Sequence, residues 1–368
     1  MDTLNGVDTL GGIGRTGGIG RTGGIGRTGG IGRTGGIGRT AEDIPLTAGA
    51  DPELSACLVA AQGALTLNLP ADGQATRTKV GATPWATMGE AHRAAVLLGE
   101  SLSGLRVTPD AKTETSTVSL WAAGQGGSGW HDLASFRRPP AAYFAAQVAR
   151  VDELLPLRET RLLEVHAQSG SALAFLLSAA QLPVQRMPRT LEFLDAALAL
   201  LMALQMRVKQ QLGCARPHEV APHLLPMIDV PAHHSLPSGH AGESALVTVL
   251  LSHLMAKGPA SRRTMLHRMA LRIAENRVVA GVHFPVDSIA GRLLGEAVAD
   301  YLLAGVGERA RVRVRRFGAQ PWGPAAQGLP LLEGDAHLSP ECSLGGDGPA
   351  PDLPDHRTLW KQVRQEWA

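Results

Sequence analysis

Residues 235–254 read SLPSGHAGESALVTVLLSHL, and this stretch decides the fold expected for the chain. The tetrapeptide from Pro237 to His240 precedes a long apolar segment, which predicts a helix that begins at the tetrapeptide. The first turn of a helix presents unpaired backbone N–H groups and the positive end of the helix dipole. The stretch therefore predicts a helix whose N-terminus faces a bound anion.

The regions on either side of this stretch also carry helical patterns. Apolar residues recur at helical spacing, prolines stand near helix starts, and glycines follow helix ends. These signals predict helices within residues 137–156, 158–181, 189–213, 239–258, 260–281 and 284–307. Because several of the connections are short, we expect an all-α fold, a helical bundle with antiparallel neighbours.

The N-terminal region differs in composition. The unit GGIGRT occurs five times between Gly11 and Thr40, and glycine makes up half of each unit. The stretch GIGRTG, which runs from one unit into the next, matches the G-x-G-x-x-G pattern of dinucleotide-binding turns. The sequence predicts no strand before this stretch and no helix after it. We therefore interpret residues 1–45 as a disordered, low-complexity arm that binds no phosphate.

The rest of the chain divides into three further parts. Residues 46–130 have a mixed composition and are expected to form an N-terminal extension. Residues 131–306 contain the dense helical signals and are expected to form the functional bundle. Residues 307–368 turn basic and then rich in Gly, Pro and Asp, which predicts an irregular C-terminal tail that ends in a short helix with Trp360 and Trp367.

Charge and cysteine content argue against several classes of protein. Outside the repeat, the 35 Lys and Arg residues fall to 30 and face 33 Asp and Glu, which argues against a nucleic-acid-binding protein. The three cysteines are odd in number and far apart, so they predict neither a disulfide framework nor a zinc site. The loop histidines also match no zinc pattern, so no metal is expected.

The sequence predicts no integral membrane span. The longest run without a charge or a histidine, residues 167–185, contains three glutamines, three serines and a proline, and it predicts a buried core helix. No apolar signal-peptide region follows the first methionine. We expect a cytoplasmic or peripheral protein, and export stays open if the start codon is misassigned.

Three blocks of sequence place cations at predicted helix ends. In the first block Lys209 is followed after six residues by Arg216, and in the third Arg277 begins the segment RVVAGVHFPVD. Two guanidinium groups can each bind paired oxygens of a tetrahedral oxyanion. In the second block Ser238 adds a hydroxyl donor, and Gly239 lets the backbone approach the ligand closely.

The same blocks contain two histidines and a carboxylate. His283 stands just before Pro285, so it lies at the entry of a helix, and Asp287 is about one turn further on. A hydrogen bond from one ring nitrogen to Asp287 would set the tautomer and leave the other nitrogen free as a nucleophile. His240 is then placed to give a proton to a leaving oxygen.

Together the blocks resemble the signature of the type 2 phosphatidic acid phosphatase and vanadium haloperoxidase superfamily. The family pattern is K-x6-R-P, then P-S-G-H, then S-R-x5-H-x3-D. Here the blocks read Lys209-x6-Arg216-Pro217, Pro237-Ser238-Gly239-His240 and Arg277-x5-His283-x3-Asp287. The resemblance covers about residues 135–305 and departs from the pattern at Asn276, where the phosphatases have serine.

The resemblance implies a role for each matching residue. His283 would attack phosphorus and form a phosphohistidine, His240 would protonate the leaving alcohol, and Asp287 would orient His283. The phosphate oxygens would be bound by Lys209, Arg216, Ser238, Gly239 and Arg277. No metal or other cofactor is implied, and the expected partner is a small phosphorylated substrate of a kind that the sequence does not identify.

Two alternatives stay open at this point, and so does the oligomeric state. In a vanadium-dependent haloperoxidase the same cluster would hold vanadate, and His233, five residues before Ser238, resembles a second histidine of the bromoperoxidases. Without the family resemblance, the sequence predicts that His233 is an exposed loop residue. The gaps of 19 residues between Pro217 and Pro237 and of 36 between His240 and Arg277 favour a compact phosphatase. The other alternative is an inactive anion-binding or scaffold protein.

Overall fold

The computed structural model describes residues 85, 88–124, 127–319, 322 and 341–368. The predicted arm at residues 1–45 and much of the predicted extension lie outside these ranges. The helices are α1 (Glu90–Ser103), α2 (Ala141–Asp152), α3 (Arg158–Ala179), α4 (Pro188–Leu212), α5 (Pro217–Val220), α6 (Gly239–Leu254), α7 (Ala260–Val279), α8 (Pro285–Gly305) and α9 (Pro354–Glu366). The strands are β1 (Leu105–Asp110), β2 (Thr115–Gly124), β3 (Gly127–Arg137), β4 (Arg311–Phe317) and β5 (Cys342–Pro349).

Helix α8 lies at the centre of the bundle, and all 21 of its residues are buried. Glycines let α6 approach α8 so closely that their backbones touch. A Cβ atom on Gly295 would overlap the carbonyl oxygen of Gly242, and one on Gly291 would overlap the carbonyl oxygen of Ser238. This close approach places the N-terminus of α6 directly against the start of α8.

The prediction of an all-α fold is wrong. Within the described ranges the strands form one sheet in the order β1-β2-β3-β4-β5, in which β3 and β4 are parallel and the other neighbours are antiparallel. Apolar residues alternate on its inner face, where Val107 pairs with Val118 and Leu105 with Leu120. In the sequence the whole bundle lies between β3 and β4, so local patterns could not show that these two strands pair. The pairs β1–β2 and β2–β3 join neighbouring strands and were not predicted.

Buried ion pairs connect this sheet to the bundle. Arg315 on β4 is 8% exposed, and its Nη1 donates to Asp300 of α8 at 2.6 Å. Its Nε lies 3.6 Å from a carboxylate oxygen of Glu296, one turn earlier on the same helix. The basic sequence RVRVRRF belongs to the expected irregular tail, and its many charges hide the alternation of a strand.

Where the structure describes it, the C-terminal segment contains β4, β5 and α9, which corrects the expected irregular tail, and only a short final helix was expected there. Helix α9 packs against α4, and Trp360 is buried at 3% exposure. The carboxylate of Glu366 accepts hydrogen bonds from the backbone N–H groups of Arg189 at 2.7 Å and Thr190 at 2.8 Å. Glu366 thereby caps the N-terminus of α4 from another helix. The division of the chain near residues 130 and 306 stays a prediction, although the sheet takes strands from both sides.

Helix α3 covers most of the long uncharged run at residues 167–185. Its backbone is extended at Ser171 (φ −158°, ψ 77°), so the helix is interrupted near its middle. In the part of the chain that the structure describes, no helix is both long and apolar enough to cross a bilayer.

The contact between α6 and α8 can be tested with Gly295→Ala. The added methyl group meets the backbone of Gly242, which cannot move aside as a side chain would, so we expect a loss of about 2 kcal/mol or more in the free energy of unfolding. Urea unfolding measures this difference. As the control, Gly99→Ala on α1 meets nothing within 4 Å and should instead stabilise the protein by about 0.5–1 kcal/mol. Equal stabilities of the two variants would contradict the proposed backbone contact.

Candidate active site

The three predicted blocks converge at one end of the bundle. Lys209 is in the last turn of α4, Arg277 is in the last turn of α7, and His240 is in the first turn of α6. The backbone N–H of Ser238 donates to the carbonyl oxygen of Asp287 at 2.8 Å, which joins the second block to the third. The predicted residues with less than one tenth of their surface exposed are Lys209, Arg216, Ser238, His240, Arg277, His283 and Asp287. Gly239 and His233 are half-buried.

His283 lies in the short connection between α7 and α8, with its Nδ1 held by two groups. Nδ1 is 3.2 Å from Oδ2 of Asp287 and 3.2 Å from Oγ of Ser235. A carboxylate oxygen can only accept, so the ring proton lies on Nδ1 and the lone pair lies on Nε2. Burial and the nearby charges of Arg216 and Lys209 lower the pKa of His283 well below its usual range, so the imidazole is neutral.

Asp287 collects several hydrogen bonds at the start of α8. Its Oδ2 accepts from the backbone N–H of Phe284 at 2.9 Å and from the hydroxyl of Ser235. Burial raises the pKa of Asp287, and these hydrogen bonds together with the charges of Lys209 and Arg216 oppose that rise. The carboxylate is thus fixed by the loop before α6 as well as by its own helix.

Lys209 and Arg216 are held by backbone carbonyls. Nζ of Lys209 donates to the carbonyls of His234 and Ser235, both at 2.9 Å. Nη1 of Arg216 donates to the carbonyl of Val282 at 2.6 Å. Burial, followed by the charge of Arg216, lowers the pKa of Lys209. A bound anion would relieve this repulsion, so the pair favours a ligand with negative charge.

Arg277 and Ser238 provide donors that have no partner in the described structure. Nη1 and Nη2 of Arg277 donate to Oγ of Ser169 at 2.9 Å and to the carbonyl of Val165 at 3.0 Å, whereas its Nε is buried without a partner. The hydroxyl of Ser238 is also buried without a partner, although Ser238 is the N-cap residue of α6. Unsatisfied buried donors are costly, and they are expected where a ligand completes a site.

His240 approaches α3 through its ring. Its Nε2 lies 3.2 Å from the carbonyl oxygen of Gln168, so Nε2 carries a proton and Nδ1 is the nitrogen left for proton exchange. Burial, and then the charge of Arg277, lowers the pKa of His240 to about 3. A bound dianion would act in the opposite direction and favour the protonated ring.

His233 also lies at the site, in contrast to the interpretation as an exposed loop residue. Its Nδ1 is 3.2 Å from Nη2 of Arg216, and its carbonyl accepts from the same guanidinium at 3.0 Å. Burial, and then the charge of Lys209, lowers the pKa of His233 to about 4. His223, by contrast, is exposed and pairs with Asp152 at 3.0 Å.

Sequence reasoning missed Ser235, Gln168 and Ser169. Ser235 stands two residues before Pro237 of the Pro-Ser-Gly-His block, so its hydroxyl could have been included with that block. Gln168 and Ser169 are uncharged polar residues in the run at residues 167–185, but that run contains four other Gln and Ser residues, so no local signal distinguished these two. Among the residues that the structure describes, no group of three or more His, Cys, Asp or Glu side chains could hold a metal ion.

Comparison with known proteins confirms the family resemblance over part of the chain. The model of the PAP2 superfamily matches residues 193–311, which contain all three blocks. A solved structure, the crystal structure of the first transmembrane PAP2 type phosphatidylglycerolphosphate phosphatase from Bacillus subtilis, is 21% identical and covers 46% of this chain and 88% of its own. Its TM-score is 0.36, and at that value the likeness supports no conclusion about this chain. No curated protein matches the chain.

The burial of His240 should appear in the pH dependence of stability. An unfolded histidine binds a proton near pH 6.5, whereas His240 in the folded protein does so only near pH 3. Its contribution to stability is therefore present above about pH 6.5 and is lost as the pH falls below it. We expect His240→Asn to reduce the fall in unfolding free energy between pH 6 and 5 by about 1.4 kcal/mol per pH unit, measured by urea unfolding.

The comparison with the unmutated protein cancels the groups that both proteins share. Asp287 is one of these, and its raised pKa gives a slope of opposite sign below the pH at which it protonates. Parallel curves for the two proteins would show that His240 takes up its proton as readily in the folded chain as in the unfolded one.

Proposed function

We propose that this protein is a phosphatase that hydrolyses a phosphate monoester or a pyrophosphate through a phosphohistidine at His283. The observation that carries the proposal is the environment of the His283 ring. Asp287 and Ser235 hold its Nδ1, so the Nε2 lone pair is available beside the buried cations Lys209 and Arg216. A neutral, oriented imidazole next to an anion-binding cluster is suited to attack on phosphorus.

Substrate binding would use the donors that the protein leaves unsatisfied. The phosphate oxygens would accept hydrogen bonds from Nε of Arg277, from the hydroxyl of Ser238 and from the backbone N–H of Gly239 at the N-terminus of α6. Lys209 and Arg216 would add two positive charges in a water-poor site, where charge interactions are strong. This arrangement would also relieve the repulsion between the cations.

In the first step, Nε2 of His283 would form a bond to phosphorus while the bond from phosphorus to the leaving oxygen breaks. His240, protonated once the dianion is bound, would give the proton on Nδ1 to that oxygen. Asp287 would keep the proton on Nδ1 of His283 and stabilise the positive charge that the ring acquires.

In the second step, water would attack the phosphohistidine. The neutral His240 would take a proton from the water at Nδ1, and the bond from phosphorus to Nε2 of His283 would break to release phosphate. The charge of the five-coordinate transition state would be balanced by Lys209, Arg216 and Arg277, so the scheme requires no metal ion.

A vanadium-dependent haloperoxidase is the second candidate, because His233 lies against Arg216 and adds an imidazole to the anion cluster. Vanadate is a tetrahedral oxyanion like phosphate, and the donor set fits both. Lys209, Arg216 and Arg277 would hold vanadate, with His283 as its ligand. When bound, vanadate supplies the activation of peroxide.

The nucleophile assignment can be tested with His283→Ala. We expect hydrolysis of p-nitrophenyl phosphate to fall by about 10³-fold or more, because the substitution removes the Nε2 lone pair that would attack phosphorus. Mass spectrometry of the acid-free quenched wild-type enzyme should find a phosphate group on the peptide that contains His283. The control His223→Ala replaces an exposed histidine and should retain activity. Turnover that survives in His283→Ala would refute the assignment.

Vanadate distinguishes the two enzyme classes. In a phosphatase, vanadate should inhibit p-nitrophenyl phosphate hydrolysis by occupying the phosphate site. In a haloperoxidase, vanadate with hydrogen peroxide and bromide should produce bromide oxidation. Binding of inorganic phosphate with neither activity would instead indicate an inactive anion-binding protein.

A further inference from the structure

Helix α3 is interrupted where it approaches the candidate site. The interruption falls at the Gly170–Ser171 pair, a combination that commonly bends helices. Carbonyl groups in the turn before such a break lose the N–H groups that would follow in a continuous helix. They are then free to accept hydrogen bonds from other parts of the protein.

The turn before the break makes its contacts with two proposed site residues. The carbonyl of Gln168 accepts from Nε2 of His240 at 3.2 Å. The carbonyl of Val165 accepts from Nη2 of Arg277 at 3.0 Å, and Oγ of Ser169 accepts from Nη1 at 2.9 Å. One turn of α3 therefore holds both the proposed acid and a proposed phosphate-binding arginine.

The Gln168 side chain extends this contact into a buried polar network. Its Oε1 accepts from Nδ2 of Asn276 at 2.9 Å and lies 3.4 Å from Nη2 of Arg277. Its Nε2 donates to a carboxylate oxygen of Glu164 at 2.9 Å, and the residue is fully buried. Because donors approach Oε1 and an acceptor faces Nε2, the amide orientation is determined by its neighbours.

The network also accounts for Asn276, where the family pattern has serine. Nδ2 of Asn276 donates to both Glu164 and Gln168, and its Oδ1 accepts from Nη1 of Arg161 at 3.0 Å. A serine hydroxyl has a single proton and cannot make two such donations at once. Asn276 and Gln168 therefore act as a matched pair behind Arg277.

We propose that Gln168 is a positioning residue for the reaction, because it fixes Arg277 through its side chain and His240 through its main-chain carbonyl. The inference rests on the proposed phosphatase function. Gln168 touches no reacting atom in this scheme. It sets where the phosphate-binding guanidinium and the acid imidazole lie relative to each other.

The first test is Gln168→Ala in the full-length protein. The substitution removes the side-chain contact to Arg277 and leaves Asn276 and Glu164 with one partner fewer. We expect kcat/KM for p-nitrophenyl phosphate to fall about tenfold or more, the effect of one hydrogen bond to a charged group. The inhibition constant of vanadate should rise by a similar factor, because the phosphate group of the substrate and vanadate would both bind Arg277.

The second test is Gln168→Glu, which keeps the acceptor for Arg277 and adds a negative charge. The charged groups that face His240 are Arg277 from α7 and Lys209 from α4, the neutral His283 is a further titratable neighbour, and Glu164 lies behind Gln168. A new carboxylate among them favours protonated His240. The high-pH limb of the pH–rate profile, which reports loss of the proton from His240, should therefore move to higher pH. A purely structural role of Gln168 would not cause this shift.

The matched control is Gln211→Ala on α4. Gln211 binds Ser116 at 2.6 Å and the carbonyl of Val107 at 3.3 Å, so its loss removes two hydrogen bonds on the side of the sheet. The kcat/KM and the pH profile of the Gln211→Ala variant should match those of the wild type.

The outcomes separate this inference from the proposed function. A wild-type protein that neither hydrolyses p-nitrophenyl phosphate nor responds to vanadate refutes the proposed function itself. An active wild type whose Gln168→Ala variant keeps its kcat/KM, or whose Gln168→Glu variant keeps its pH profile, refutes the role of Gln168 alone. If Gln168→Ala does not fold, as judged by circular dichroism, the role of Gln168 is tested by Gln168→Glu alone. A shifted pH profile supports that role, and an unchanged one refutes it.

Discussion

The contact between the backbones of α6 and α8 is the constraint on which the candidate site depends. Gly242, Gly291 and Gly295 remove the side chains that would otherwise separate the two helices. The N-terminus of α6 can therefore lie against the first turn of α8, where the N–H of Ser238 reaches the carbonyl of Asp287. The N-terminus of α6, which is suited to an anion, and an oriented imidazole meet because two helices lie closer together than side chains would allow.

Around this contact the protein buries charges that it does not fully neutralise. Lys209, Arg216 and Arg277 are almost completely buried, and burial lowers the pKa of each. Backbone carbonyls orient all three and leave a positive potential, which a carboxylate for each cation would have cancelled. Unsatisfied donors and mutual repulsion destabilise the empty protein, and in the proposed function a bound oxyanion would relieve both.

The sequence predicted the bundle well and the sheet not at all. Helices α3, α4, α6, α7 and α8 lie where apolar spacing and glycine or proline signals indicated them. The pairing of β3 with β4 was missed because the whole bundle separates these two strands in the sequence. The antiparallel pairs of β1 with β2 and of β2 with β3 are local, and their strand signals were not recognised. Arg315 made the error worse, since a buried arginine paired with Asp300 cannot be distinguished by pattern from an exposed one.

The sequence by itself determined the chemical groups of the candidate site, because each block has a fixed internal spacing that helix geometry turns into a fixed arrangement. His283 and Asp287, four residues apart at a helix start, are the clearest case. Only the tertiary structure decided how the blocks are supported. Ser235 reaches Asp287 from another loop, and Gln168, on an interrupted helix, reaches His240 and Arg277, which are 72 and 109 residues further along the chain. Such contacts depend on how close separate helices pack, and no local pattern encodes that distance.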